Sequence, residues 1–154
     1  MKYLEYFHPG QVFSFKAAPV SKQEIVAFAT KWDPQPLHLD EAHATRMHGG
    51  LIASGFQTML LVFEPVMKEL MVGVANIGGL GFDNLRWVRP LRPDEPLDVK
   101  IEVTSVRPSR SKPDRGVMTY SLTASNPAGE VAFSVEPAVM IKRRPNASPG
   151  DSDA

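Results

Sequence analysis

Apolar residues change their spacing along this chain, and each change marks a different kind of element. Ser21 and Glu24 form an S-x-x-E capping box, and Ile25, Phe28, Ala29 and Trp32 follow at helical intervals. That helix should end near Asp33, because Pro34 disfavours helical geometry in the residue before it. The segment Asp33-Pro34-Gln35-Pro36-Leu37-His38 is then expected to be extended or turned, with a short helical turn over Asp40 to Arg46. A second helix is expected from Ser54-Gly55 to about Met71. Phe56, Met59, Leu60, Phe63, Met67, Leu70 and Met71 form its stripe, and Leu61, Val62 and Val66 make it apolar on most sides. Such a helix is normally buried. Pro65 should kink it or weaken one turn.

After Val72 the pattern becomes strand-like. Runs 80–88, 97–106, 117–125 and 130–142 are rich in Val, Leu, Ile, Phe and Thr, and turn residues separate them at Pro90 to Pro96, Pro108 to Gly116 and Asn126 to Gly129. Gln11 to Lys16 supplies a first strand. A long apolar helix followed by antiparallel strands is satisfied by an α+β architecture in which one curved sheet wraps the helix. At 154 residues the chain is long enough for one domain with a real core. The domain is expected over 1–144. From Pro145 the sequence PNASPGDSDA has nothing to bury, so 145–154 is expected to be a disordered tail.

Charge and composition remove whole classes of function. Lys+Arg 17 against Asp+Glu 17 gives no net charge, which argues against a nucleic-acid partner. The absence of cysteine excludes disulfides, thiolate nucleophiles and Cys-based metal sites. The longest apolar run, 56–72, is interrupted by Glu64, Pro65, Lys68 and Glu69, and the first ten residues do not read as a signal peptide. A cytoplasmic protein without a membrane partner is expected.

Asp33 and His38 lie five residues apart on a proline-restricted loop, where a carboxylate and an imidazole can converge on one water. They could share proton transfer near neutral pH if the site raises the Asp33 pKa somewhat. Spacing alone leaves an incidental loop contact open. Gly55, at the start of the buried helix, offers an unpaired N–H at the positive end of the helix dipole, a site for an oxyanion or simply a point of tight packing.

Other features have plainer readings beside the chemical ones. His38, His43 and His48 invite a metal, but residues five apart diverge on a helix and no H-x-x-x-H pair appears, so no metal site is expected. Arg107, Arg110, Lys112 and Arg115 make a basic loop that could meet phosphates, or be a solvated hairpin. Gly78, Gly79 and Gly81 follow a helix and precede a strand, the reverse of a dinucleotide fingerprint, and read as strand-entry glycines. Met59, Met67 and Met71 could floor an acyl tunnel or be plain core.

The stretch DPQPLHLDEAHATRMHGGLIASG, residues 33–55, resembles the MaoC-like dehydratases, the (R)-specific enoyl-CoA hydratases with a hotdog fold. The likeness runs from about Gln11 to Arg143. It rests on the Asp33/His38 spacing, the continuation Leu39-Asp40-Glu41-Ala42, and GGLIASG leading into the helix. The resemblance implies that Asp33 and His38 hold and activate water and that the Gly55 N–H polarises a thioester carbonyl. It further implies an acyl-CoA or acyl-carrier thioester as substrate, no cofactor, and a homodimer or higher homo-oligomer paired edge to edge with the site between subunits. Trp32 and Gln35 stand where many members carry Gly and Asn, and Ser54 where some carry His; these are expected to shape substrate binding, and if the basic loop meets the coenzyme phosphates, Arg110 and Lys112 are its expected contacts. The alternatives are a thioesterase on the same fold, for which Glu64 is poorly placed, and a non-catalytic acyl-thioester-binding subunit.

Overall fold

The structure is a computed structural model, described here for residues 1–145. The expected tail therefore lies, except for Pro145, outside the described residues. In chain order the elements are β1 (Val12–Ala17), α1 (Lys22–Trp32), α2 (Pro36–Leu39), α3 (Glu41–His48), α4 (Gly55–Glu69), β2 (Asn76–Trp87), β3 (Leu97–Pro108), β4 (Arg115–Ser125) and β5 (Val131–Lys142), with short 3-10 turns at Leu4–Tyr6 and Met71–Gly73. The strands form one five-stranded antiparallel sheet in the order β1-β3-β4-β5-β2, and α4 packs across it: the hotdog arrangement.

Local chemistry explains most boundaries. The Ser21 hydroxyl accepts from the Glu24 N–H at 3.1 Å while the Glu24 carboxylate accepts from the Ser21 N–H at 2.7 Å, so the capping box closes both ways. The Asp40 carboxylate caps α3 through the His43 N–H at 2.9 Å, and α3 ends on Gly49 in the left-handed region at φ 73°. The proline-rich segment differs from expectation. It includes one helical turn, α2, because Pro36 sits at the first helical position, where its missing N–H costs nothing. The 3-10 turn takes over where α4 stops at Glu69, short of Met71.

Strand β2 starts at Asn76, four residues before the expected 80. Its glycines lie within the strand, not before it. The β2–β5 register slips between Asn76 and Gly78 and again between Gly79 and Gly81, and Gly81 takes φ 153°. A slip of this kind bends a strand and suits residues without a side chain.

The buried side of α4 is narrower than its composition implies. Thr58, Val62, Pro65 and Val66 face the sheet, where β4 alternates buried Met118, Tyr120, Leu122 and Ala124 with half-buried residues. Phe56 and Leu60 from the expected core stripe are 55% and 56% exposed, and Phe82, Leu80 and Trp87 on β2 are exposed beside them. Phe56 meets Trp87 edge-on at 6.2 Å, and Phe63 meets Phe82 at 5.5 Å. One copy of the sheet therefore covers one side of the helix, and the other apolar side continues onto edge strand β2. Among the described residues no helix is long and apolar enough to cross a membrane.

Candidate active site

Helix α1 ends at Trp32 and hands the chain to Asp33, its C-cap. Gln35 and α2 then turn it back so that His38 faces the same carboxylate. His38 Nε2 lies 3.2 Å from Asp33 Oδ2, with the two residues 3% and 9% exposed. The opposite ring nitrogen, Nδ1, is 2.8 Å from the Ile52 carbonyl oxygen. A carbonyl only accepts, so Nδ1 carries the hydrogen and Nε2 faces the carboxylate.

The carboxylate that Nε2 faces is held ionised. The Ser54 hydroxyl donates to Asp33 Oδ2 at 2.7 Å and the Gln35 carboxamide to Oδ1 at 2.6 Å. The Ser54 bond first, then the Gln35 bond, hold Asp33 below its usual range; burial works against them and the charge of His38 with them. The expectation of a raised Asp33 pKa is thus reversed, since donors to the charged form outweigh desolvation.

Ser54→Ala is expected to cost about 1.5–3 kcal/mol at pH 7, the range for a hydrogen bond to a charged group. A carboxylate depressed on folding contributes stability that is complete above its unfolded pKa, near 3.8 for Asp, and lost as pH falls through the folded value. Urea denaturation should therefore show wild type and variant converging below that pH. A gap that never narrows as the pH is lowered below 3.8 would contradict the assignment.

Gly55 opens α4 beside this pair, with Ser54 as its N-cap. First-turn N–H groups have no helical acceptor four residues back, so the Gly55 N–H is free to meet a ligand oxygen. The residue must also be glycine: a Cβ there would lie 2.7 Å from Trp87 Cε2, and the Trp87 indole N–H donates to the Gly55 carbonyl at 2.8 Å. The packing reading of this glycine is thus met, and its N–H remains without a helical acceptor. Asp33, His38, Gly55 and Gln35 line one cavity of about 400 Å³, completed by Phe56, Thr58 and the stretch from Trp87 to Leu91.

The other sequence candidates divide. Ser54 and Gln35 stand next to the carboxylate, whereas Trp32 points outward, 64% exposed, under the Lys31 ammonium. Arg110 and Lys112 lie on the β3–β4 loop. In the register of β5, the Gly116 end of β4 pairs with Ile141 while the cavity residue Trp87 pairs with Phe133, about 25 Å away at ~3.3 Å per residue. Within one chain the basic loop and the cavity are at opposite ends of the sheet. Met67 and Met71 line a separate cavity farther along α4, and Met59 packs on the core. Among the described residues no group of His, Asp and Glu is clustered to hold a metal ion.

The wall from Trp87 to Leu91 escaped the sequence reading, including Arg89, whose guanidinium pairs with Glu95 at 2.5 Å. No local motif ties it to residues 33–55. The β2–β5 pairing, the Trp87–Gly55 bond and the Ala53 N–H, which donates to the Leu91 carbonyl at 2.9 Å, bring it there.

Comparison with known proteins gives a consistent set of relatives. The sequence profile described as MaoC like domain matches residues 6–126. The Bacillus subtilis (strain 168) protein YdeM, itself uncharacterized, is 36% identical over 141 residues, spanning 91% of this chain and 99% of YdeM. A crystal structure of a MaoC-like dehydratase from Rhodospirillum rubrum superposes with a TM-score of 0.84 at 35% identity, covering 94% of this chain and 99% of that one. The (R)-hydratase from A. caviae involved in PHA biosynthesis superposes with a TM-score of 0.69 at 25% identity, covering 90% and 98%.

Proposed function

The chain belongs to the MaoC-like domain family, and on that premise we propose that it adds water reversibly to a trans-2-enoyl thioester, giving a 3-hydroxyacyl thioester. The observation that carries this reading is the convergence of Asp33, His38 and the helix-start N–H of Gly55 on one cavity. The thioester carbonyl oxygen accepts from the Gly55 N–H, which draws electron density from the β-carbon. Water sits against Asp33 and His38. His38 Nε2, oriented by the Ile52 carbonyl, takes a water proton as the oxygen bonds to the β-carbon. The π electrons move into an enolate whose oxygen rests on Gly55, and the imidazolium then returns the proton to the α-carbon. Asp33, kept ionised by Ser54 and Gln35, holds the water and stabilises the imidazolium.

No oxidation or reduction occurs in these steps, so the proposal invokes no cofactor; coenzyme A or a carrier enters only as part of the substrate. The thioesterase alternative draws no support from Glu64, which is tied to Lys68 at 2.5 Å on the outward side of α4. The test is direct: crotonyl-CoA and a longer trans-2-enoyl-CoA should lose their enoyl absorbance with the protein and yield the (R)-3-hydroxy product. Release of free thiol without hydration would replace this reading with the thioesterase.

The open apolar side of α4 and β2 supports the further proposal of a homodimer. Phe56, Leu60, Leu80, Phe82 and Trp87 form one continuous exposed face, and β2 is an edge strand with an unpaired side. Two-fold pairing along β2 would run the partner's strand antiparallel to it. The partner's basic loop, with Arg110 and Lys112, would then come to the same end of the joined sheet as this chain's cavity. Light scattering at micromolar concentration should give twice the chain mass, and Leu80→Glu should lower it toward the monomer. A monomeric wild type would remove the proposal.

A further inference from the structure

A second cavity, of about 460 Å³, lies between the C-terminal half of α4 and strands β2, β4 and β5. Its walls are mostly apolar, with Phe63, Met67, Leu80 and Phe82 among them, but two polar side chains, Tyr120 and Asn76, also line it. Tyr120 is 1% exposed, and no group among the described residues accepts from its hydroxyl. Buried tyrosine hydroxyls normally find a partner; this one keeps accessible surface in the cavity, where an acceptor on a ligand can reach it. Burial pushes the phenol up to about 12, so it stays a donor across the working pH range. Asn76 Oδ1 already accepts from the Gly78 N–H at 3.0 Å, which leaves the carboxamide N–H groups to face a ligand. Both polar groups therefore offer hydrogens. No Lys, Arg or His lines the space, so a buried carboxylate would find no counter-charge there.

This cavity stands in a fixed relation to the site already described. Phe63 and Met67 follow Gly55 on the same helix by about 12 and 18 Å at 1.5 Å per residue. A thioester held at Gly55 would bring the far part of an acyl chain of roughly ten to fourteen carbons to this depth, at about 1.3 Å of advance per C–C bond along a zigzag. Phe56, Leu60, Phe63 and Met67 follow one another at helical spacing between the two cavities, on the face that the proposed homodimer would cover, so the acyl chain would run along the interface.

We infer that the protein selects acyl thioesters whose chain carries an uncharged oxygen acceptor, such as a keto group, remote from the thioester, with Tyr120 as the specificity-determining donor. The inference rests on the hydratase reading and deepens it. Its test compares two C12 trans-2-enoyl-CoA substrates, one unsubstituted and one with a keto oxygen near the tail, with crotonyl-CoA as a short substrate that never reaches Tyr120. Wild type should favour the keto substrate by about tenfold or more in kcat/KM, the scale of leaving one buried donor unmet. Tyr120→Phe, which keeps the ring and its packing, should bring that ratio to about one while crotonyl-CoA turnover stays within about twofold of wild type. An unchanged ratio in the variant, or no preference in wild type, would overturn the inference. If crotonyl-CoA is not turned over at all, the hydratase reading fails separately. Calorimetric binding of the saturated keto and plain acyl-CoA pair to wild type and Tyr120→Phe then reads the same ratio without catalysis.

Discussion

His38→Ala and Asp33→Asn should each lower crotonyl-CoA hydration by about 10²–10⁴-fold, the usual worth of a positioned acid–base group. That corresponds to about 2.7–5.5 kcal/mol of transition-state stabilisation. The two losses arise from one machine. His38 Nε2 and Asp33 Oδ2 are 3.2 Å apart and in the proposed mechanism share one water, so the double variant should be little worse than the poorer single one. Asp33→Asn keeps the volume of the buried side chain, and its melting temperature shows whether activity was lost with the fold intact. His38→Gln serves the same purpose where alanine would leave a void against Ile52. Single variants within tenfold of wild type would end the assignment. Losses that multiply in the double variant would mean that the residues act on different steps.

Gly116→Ala should be the most destabilising small change in the sheet. Gly116 sits where β4 pairs with Pro108 and Ile141, and a Cβ there would lie 2.4 Å from Leu4 Cδ2, 2.5 Å from the Arg107 carbonyl oxygen and 2.9 Å from Pro108 Cα. The leucine could move, but the Arg107 oxygen and Pro108 Cα are backbone of the neighbouring strand. Accommodation means parting β3 from β4. Overpacking costs of order 1–3 kcal/mol even where side chains can yield, so about 3 kcal/mol or more is expected here. For a domain of this size that lowers the melting temperature by about 10 °C. Gly73→Ala is the matched control, since its added Cβ would meet nothing within 4 Å. A Gly116→Ala protein that melts with wild type would show that the strands separate there at little cost.

Much of the architecture was legible because it is written in local signals. The capping box at Ser21, the prolines after Asp33 and the alternation in β3 to β5 each name their element through interactions a few residues long. The start of β2 was not legible, because bulged glycines carry no alternation to read. The exposure of Phe56 and Leu60 was not legible either, since an apolar helix gives no sign of how much of it one sheet can cover.

The site divides in the same way. Asp33, His38, Ser54 and Gly55 lie within one stretch of chain, so spacing offered Asp33, His38 and Gly55 as candidates, and the family resemblance added Ser54 and a role for each. Only the folded chain decided their electrostatics. Ser54 and Gln35 had to reach opposite oxygens of Asp33 before its pKa fell, and Ile52 had to meet His38 Nδ1 before Nε2 was turned toward the carboxylate. The Trp87 wall, the distance of the basic loop from the cavity and the unmet hydroxyl of Tyr120 likewise depend on strand register. Sequence determined which groups are available and which local turns carry them, because capping and proline effects act within a few residues. Tertiary structure decided which groups meet, because contacts between distant segments follow from how the sheet closes over the helix.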